Sequence, residues 1–172
     1  MPNIFITSDT HFGHANIIKL CKRPFASVEE MDETLIANWN AVIRPGDRVY
    51  HLGDFCHHTR NIAQKCTLLK RLNGYTSLIL GNHDDPVSIK HTSIPWYGEP
   101  EMYRELSIDG KTRAILFHYP IVEWNGWYRG NLHFHGHQHN TKALQAERRI
   151  DVGVDANNFK PWALEDLVAL TR

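Results

Sequence analysis

The stretch of sequence that decides the fold is NIFITSDTH, residues 3–11, in which a short run of β-branched and aromatic residues ends in polar ones. The same pattern returns as RVYHLGD in residues 48–54 and as TSLILGNHD in residues 76–84. Runs of this length and composition are typical of buried strands. The predicted strands cover residues 3–8, 48–52 and 76–80. Each of them leads directly into Asp, His or Asn side chains.

Three helices are predicted between these strands, and the first covers about residues 14–22. Apolar residues recur at helical spacing from Val28 to Ile43, and Ser27 and Glu30 are placed to form a capping box at the start of that helix. The third helix is predicted over residues 61–72, where apolar residues again recur at helical spacing. Strands that alternate with helices favour parallel pairing, because the helices serve as crossover connections.

The second half of the chain has a different pattern. Residues 102–108 alternate between apolar and polar side chains, Asp109-Gly110 is typical of a tight hairpin turn, and a further strand is predicted over residues 112–117. Later elements are predicted over residues 131–135, 149–154 and 164–170. We therefore expect antiparallel pairing in this half, within a single α/β domain that covers residues 1–172.

Composition limits the classes of function. The 19 Lys and Arg residues balance 19 Asp and Glu residues, and this neutral charge argues against a bulk electrostatic binder of nucleic acid or of acidic membranes. The 3 cysteines suit neither a disulfide framework nor a cysteine zinc site. No signal peptide and no run of about 18 apolar residues is evident. We therefore expect a cytoplasmic protein without a membrane partner.

Several of the 12 histidines stand at the ends of the predicted strands. In open α/β sheets, binding sites lie beyond the carboxyl ends of the strands, so we expect these residues to converge. Nitrogen and oxygen donors without cysteine suit Mn, Fe, Zn or Ni. Seven donors are too many for one tetrahedral ion, but they suit two ions that share a bridging carboxylate. The candidate ligands are Asp9, His11, Asp54, Asn82, His118, His137 and His139.

Five sequence blocks, in a fixed order, resemble those of the calcineurin-like metallophosphoesterases. The longer string Asp9-Thr10-His11-Phe12-Gly13-His14, with Arg23-Pro24-Phe25 after it, resembles their small bacterial and phage type. The blocks are Asp9-Thr10-His11, Gly53-Asp54, Gly81-Asn82-His83-Asp84, His118 and Gly136-His137-Gln138-His139. The resemblance implies a four-layer α/β/β/α sandwich of two mixed β-sheets flanked by helices. It also implies that Asp9, His11 and His139 hold one metal ion, that Asn82, His118 and His137 hold the other, and that Asp54 bridges the two.

The resemblance further implies a dinuclear phosphoesterase that hydrolyses a phosphodiester or phosphomonoester by attack of a metal-bridging hydroxide. His83 would donate a hydrogen bond or a proton to the phosphoester, and Asp84 would orient its imidazole. Two further residues are candidates for binding the substrate: His14, because it lies close to His11, and Arg23, because a guanidinium matches phosphate geometry. We expect two divalent ions, with manganese preferred over Fe, Zn, Ni or Mg.

Two other functions fit the same residues. A nuclease of this fold would act on DNA or RNA, but the neutral charge favours a small-molecule or nucleotide-type phosphoester. A catalytically silent metal-binding scaffold is disfavoured because the residue set is complete and includes His83. Several side chains fit either a role at the site or a purely structural one. They are His57, His58, Trp124, Trp127, Tyr128, His133 and His135.

Overall fold

The computed structural model describes residues 2–57, 61–140 and 148–171, and it contains two four-stranded sheets. The first sheet has the order β3-β2-β1-β8 and contains β1 (Ile4–Thr7), β2 (Arg48–His51), β3 (Tyr75–Leu78) and β8 (Trp162–Ala163). The second sheet has the order β4-β5-β6-β7 and contains β4 (Tyr103–Ser107), β5 (Arg113–Phe117), β6 (Leu132–His135) and β7 (Arg149–Asp151).

Both sheets are mixed. Strands β1, β2 and β3 are parallel, as predicted, and β8 pairs antiparallel with β1. In the second sheet β4 and β5 form the predicted antiparallel pair, whereas β5, β6 and β7 are parallel. The prediction of an antiparallel second half is therefore wrong for β6 and β7. Alternation of side chains does not record strand direction, and residues 118–131 return the chain across the sheet before β6 begins.

Five helices lie among the described residues, and the longest two have defined N-caps. Asn61 and Gln64 form a complete capping box at the start of the helix over residues 62–71. At the start of the helix over residues 28–42, Ser27 accepts a hydrogen bond from the Glu30 N–H. The predicted capping box there is incomplete, because the Glu30 carboxylate accepts from the Ala26 N–H and not from that of Ser27. The helices are α1 (Ala15–Leu20), α2 (Val28–Val42), α3 (Ile62–Arg71), α4 (Pro86–Ile89) and α5 (Leu164–Ala169). None of them combines the length and apolarity that crossing a membrane requires.

Successive side chains of the central strands pack into two different layers of the core. Phe5 and Val49 belong to the cluster that contains Trp39 of α2, while Ile6 belongs to the cluster that contains Phe134 of the second sheet. Each of these side chains is buried, which contributes about 1.5–3 kcal/mol per large apolar residue. This arrangement confirms the predicted α/β sandwich of two mixed sheets flanked by helices.

Candidate metal centre

The carboxyl ends of parallel strands from both sheets meet at one rim of the sandwich. Contacts across the rim join the sheets: the His137 N–H donates to Asp9 Oδ2 at 2.9 Å, and His118 Nδ1 lies 2.7 Å from the carbonyl oxygen of Leu52. The structure thus gathers all seven residues predicted from the strand ends. Asp9, His11, Asp54 and Asn82 follow strands of the first sheet, and His118, His137 and His139 follow strands of the second.

The first group of donors contains Asp9, His11 and His139. Asp9 Oδ1 lies 3.9 Å from His11 Nε2 and 3.9 Å from His139 Nε2. Asp9 Oδ1 and His11 Nε2 are both buried and have no hydrogen-bond partner. Buried polar atoms without hydrogen-bond partners are rare and costly. Two such atoms 3.9 Å apart are the arrangement expected where both coordinate a cation between them.

The second group of donors contains Asn82, His118 and His137. Asn82 Oδ1 lies 2.8 Å from His118 Nε2 and 2.9 Å from His137 Nδ1. Both imidazoles thus turn a ring nitrogen toward the same amide oxygen. Asn82 and His137 are exposed while His118 is fully buried, so this group opens toward solvent on one side.

Asp54 lies between the two groups. Its Oδ2 atom is 3.5 Å from His11 Nε2 of the first group and 3.7 Å from His118 Nε2 of the second. Its Oδ1 atom accepts a hydrogen bond from the His83 N–H at 2.8 Å, which fixes the orientation of the carboxylate. One oxygen that faces a donor nitrogen of each group is the geometry that a bridging ligand requires.

The electrostatics of the site favour divalent cations. Burial raises the pKa of Asp9 to about 6, because it disfavours the charged carboxylate more than the nearby histidines favour it. Burial lowers the pKa of His11, so this ring is neutral and has a lone pair available for a metal. Carboxylates and imidazoles bind metal in their deprotonated forms. The residues present therefore fit divalent metal ions with nitrogen and oxygen ligands.

Five of the seven candidate ligands have left-handed backbone conformations, which are uncommon for residues other than glycine. Such conformations cost of order 1–3 kcal/mol each and concentrate at functional sites. These residues are Asp9, His11, Asp54, His137 and His139, with φ of 58°, 51°, 55°, 70° and 48°. The loops also depend on close backbone approach, since a Cβ atom at Gly81 would lie 2.2 Å from Asp54 Oδ1.

The structure places His83 and Asp84 in different surroundings. His83 is exposed at the rim, with its ring centroid 5.4 Å from that of His11. Asp84 is buried, and its carboxylate accepts hydrogen bonds from the backbone N–H groups of Asp54, Phe55 and Gly81. Burial raises the pKa of Asp84, although these bonds oppose the shift. The predicted contact between Asp84 and the His83 imidazole is wrong, because Asp84 instead fixes the two loops that present Asp54 and Asn82.

The two predicted substrate-binding residues also differ from each other. His14 is half-buried beside the first group, with its ring centroid 5.4 Å from His11 and 4.6 Å from His57. The side chain of Arg23, in contrast, is 0% exposed and forms an ion pair with Asp155. Its guanidinium also donates to the carbonyl oxygens of Asp9 and Thr10. The prediction that Arg23 binds phosphate is therefore wrong, since its donors are occupied inside the protein.

Of the other histidines and aromatic residues, three bond or pack inside the protein: His133, His135 and Trp124. His133 hydrogen bonds with the backbone of Ile115, and Trp124 packs against its ring with centroids 5.3 Å apart. His135 bonds with the carbonyl of Gly136. Trp127 and Tyr128 are exposed before the amino end of β6, at the opposite end of that strand from the candidate ligands. His58 lies outside the described residues.

Two residues of the site were not predicted. Asp155 follows β7 and accepts a hydrogen bond from His139 Nδ1 at 2.8 Å. Burial lowers the pKa of His139, but the hydrogen bonds with Asp155 and Cys21 and the nearby charge of Asp9 outweigh burial and raise it to about 10. The ring centroid of Tyr119 lies 4.9 Å from that of His118 and 4.8 Å from that of His137. Asp155 could have been found as another strand-end carboxylate if β7 had been recognised as parallel.

The fold and the site define a class of α/β sandwich proteins that gather nitrogen and oxygen donors at one rim. The chain belongs to the calcineurin-like phosphoesterase family, whose model matches residues 2–153. It is 38% identical over 175 residues to uncharacterized protein MJ1445 of Methanocaldococcus jannaschii, with 99% of this chain and 92% of that protein covered.

A phage protein and a solved structure are also similar. The Gene 66 protein of Mycobacterium phage L5 is 29% identical over 191 residues, covering 91% of this chain and 88% of that protein. The crystal structure of AQ665 from Aquifex aeolicus, described as a protein of unknown function, has a TM-score of 0.79 and 27% identity, covering 99% of this chain and 100% of that one. These similarities support the small bacterial and phage type of the family.

Proposed function

We propose that this protein is a dinuclear metal-dependent phosphoesterase that hydrolyses a phosphodiester or phosphomonoester. The observation that supports two ions is the position of Asp54 Oδ2, 3.5 Å from a donor nitrogen of the first group and 3.7 Å from one of the second. In this proposal Asp9, His11 and His139 bind one ion, and Asn82, His118 and His137 bind the other. These nitrogen and oxygen donors, with no cysteine among them, suit manganese, with Fe, Zn, Ni or Mg as alternatives.

Two divalent ions, when bound, would activate a water molecule as the nucleophile and neutralise the charge on the phosphoryl oxygens. His83 supplies the proton chemistry in our proposal, because its exposed ring stands beside the first group and its backbone N–H is fixed by Asp54. From this position it would donate a hydrogen bond or a proton to the oxygen of the leaving group. His14 and His57 line the adjoining part of the rim, where they would contact the rest of the substrate.

We propose a small-molecule or nucleotide-type phosphoester as the substrate and the cytoplasm as the place of action. The exposure of Asn82, His83 and His137 leaves the second group and the rim open, which suits an extended or a small ester equally well. The balance of 19 basic and 19 acidic residues gives no support to a nucleic-acid substrate. Cys21, Cys56 and Cys66 form no disulfide, which is consistent with a reducing compartment.

The test is hydrolysis of paired nitrophenyl monoesters and diesters by protein that is first stripped of metal and then loaded with Mn, Fe, Zn, Ni or Mg. His83→Ala should retain the metal content of the unmodified protein but lose roughly 10²–10⁴-fold in turnover. Asp54→Ala should lose both metal and activity. A single-stranded oligonucleotide assayed in parallel tests the nuclease alternative. Full metal occupancy without turnover of any ester would overturn the proposal and favour a scaffold.

A further inference from the structure

Arg23 and Asp155 form a buried ion pair next to the first group of donors. Arg23 Nε donates to Asp155 Oδ1 at 2.8 Å, and Nη2 donates to Asp155 Oδ2 at 2.8 Å, in the planar two-bond geometry that a guanidinium forms with a carboxylate. Asp155 Oδ2 also lies 2.8 Å from His139 Nδ1. One carboxylate oxygen therefore connects a buried guanidinium to a candidate metal ligand.

The same guanidinium also contacts the loop that presents the other two donors of the group. Its Nη2 atom donates to the carbonyl oxygen of Asp9 at 2.7 Å, and Nη1 donates to that of Thr10 at 3.1 Å, directly before His11. Both Asp9 and His11 have left-handed backbone conformations, with φ of 58° and 51°. Arg23 thus fixes a strained loop that carries two donors, and through Asp155 it fixes the third.

We propose that Arg23 and Asp155 are positioning residues that orient the three ligands of the first metal ion. The inference rests on the proposed metal centre but assigns to it two residues outside the ligand set. When Asp155 accepts the Nδ1–H of His139, the lone pair of that ring is placed on Nε2, the atom that lies 3.9 Å from Asp9 Oδ1. A carboxylate partner also makes the imidazole a stronger ligand.

The geometry distinguishes this role from general stabilisation of the fold. A buried ion pair is often no more stabilising than apolar side chains of the same volume, so stability alone does not explain it. The hydrogen bonds of Arg23 and Asp155 reach the loops that present Asp9, His11 and His139. None of them involves the three donors of the second group. Loss of the pair should therefore weaken one metal site and spare the other.

The experiment is a zinc titration of the metal-free full-length protein by isothermal calorimetry, with the variants Asp155→Asn and Arg23→Lys. Asp155→Asn preserves shape but removes the charge, and Arg23→Lys preserves the charge but not the paired hydrogen bonds. Nitrogen-15 NMR of the histidine rings identifies which zinc-binding step involves His139 and which involves His137. We expect each variant to weaken the His139 step by 10–100-fold and to leave the His137 step within threefold of the unmodified protein.

Arg71→Met is the matched control, because Arg71 forms a similar paired contact with Glu33 on the exposed surface of α2 and α3, at 2.8 and 2.5 Å. It should leave both zinc steps unchanged. Circular dichroism checks that each variant is folded. If Arg23→Lys does not fold, Asp155→Asn alone tests the positioning role. Equal zinc affinities in Asp155→Asn and the unmodified protein would overturn the inference while leaving the metal centre intact. Failure of the unmodified protein to bind zinc, manganese or any of the other three divalent metals would instead overturn the proposed function.

Discussion

Asp84→Asn is the substitution that best separates the role seen in the structure from a role in catalysis. The Asp84 carboxylate accepts from the N–H groups of Asp54 at 2.8 Å, Gly81 at 2.9 Å and Phe55 at 3.1 Å, and it does not bond with the His83 imidazole. An asparagine has nearly the same shape, but it offers one acceptor oxygen and one donor amide. At least one of the three backbone N–H groups would therefore face another donor.

The cost follows from these three bonds. Leaving one buried N–H without an acceptor costs about 1–3 kcal/mol. The two remaining bonds lose their ionic character, at about 1 kcal/mol each. We therefore expect a loss of about 3–5 kcal/mol in the free energy of unfolding, which is a large part of the 5–15 kcal/mol typical of a domain. Because Asp54 is bonded to Asp84, metal affinity should also fall by about 10–100-fold.

The assay is a double-mutant cycle with His83→Ala, in which urea unfolding and metal affinity are measured for the unmodified protein, both single variants and the double variant. If Asp84 acts on the loops, its effects on stability and metal affinity should be the same in both backgrounds, to within about 0.5 kcal/mol. His83→Ala alone should change neither quantity by more than that amount. A variant Asp84→Asn that is stable, binds metal normally and loses turnover only when His83 is present would refute this reasoning.

Three further predictions concern the surroundings of the site and the fold. A Cβ atom at Gly136 would lie 2.0 Å from Ser8 Oγ and 2.2 Å from Asp9 Oδ2, so Gly136→Ala should displace Asp9 and weaken zinc binding at least tenfold; unchanged calorimetric affinity would contradict the geometry. Burial lowers the pKa of His133 to about 4, so the stability that its neutral form provides is present above pH 6.5 and lost as the pH falls toward 4. The free energy of unfolding of the metal-free protein should therefore fall by up to about 3 kcal/mol more over this pH range than that of the His133→Asn variant. Equal pH slopes of the two proteins in urea unfolding would show that His133 titrates normally. Asn61→Ala removes the N-cap of α3 and should cost about 1 kcal/mol, measured as a lower Tm, whereas an unchanged Tm would mean that the capping box contributes nothing.

The sequence was sufficient to predict which residues meet at the rim, because a run of apolar residues followed by Asp, His or Asn marks both a strand and its end. It was not sufficient to predict their supporting contacts. Arg23 pairs with Asp155, 132 positions later in the chain, and no local pattern announces such a pair. Asp84 bonds with backbone N–H groups, which are the same for every sequence. Strand direction in the second sheet was missed for a similar reason, since side-chain alternation is equal in parallel and antiparallel strands.

The supporting contacts explain how the fold maintains a strained site. Left-handed conformations at five candidate ligands would together cost several kcal/mol, and such strain persists only where the surrounding structure determines each position more than once. Asp84 fixes the loop of Asp54, and Arg23 fixes the loop of Asp9 and His11. Both anchoring side chains are buried, and the groups that they bond with belong to the protein itself. These buried anchors therefore supply the additional constraints under which the strained backbone of the donors persists.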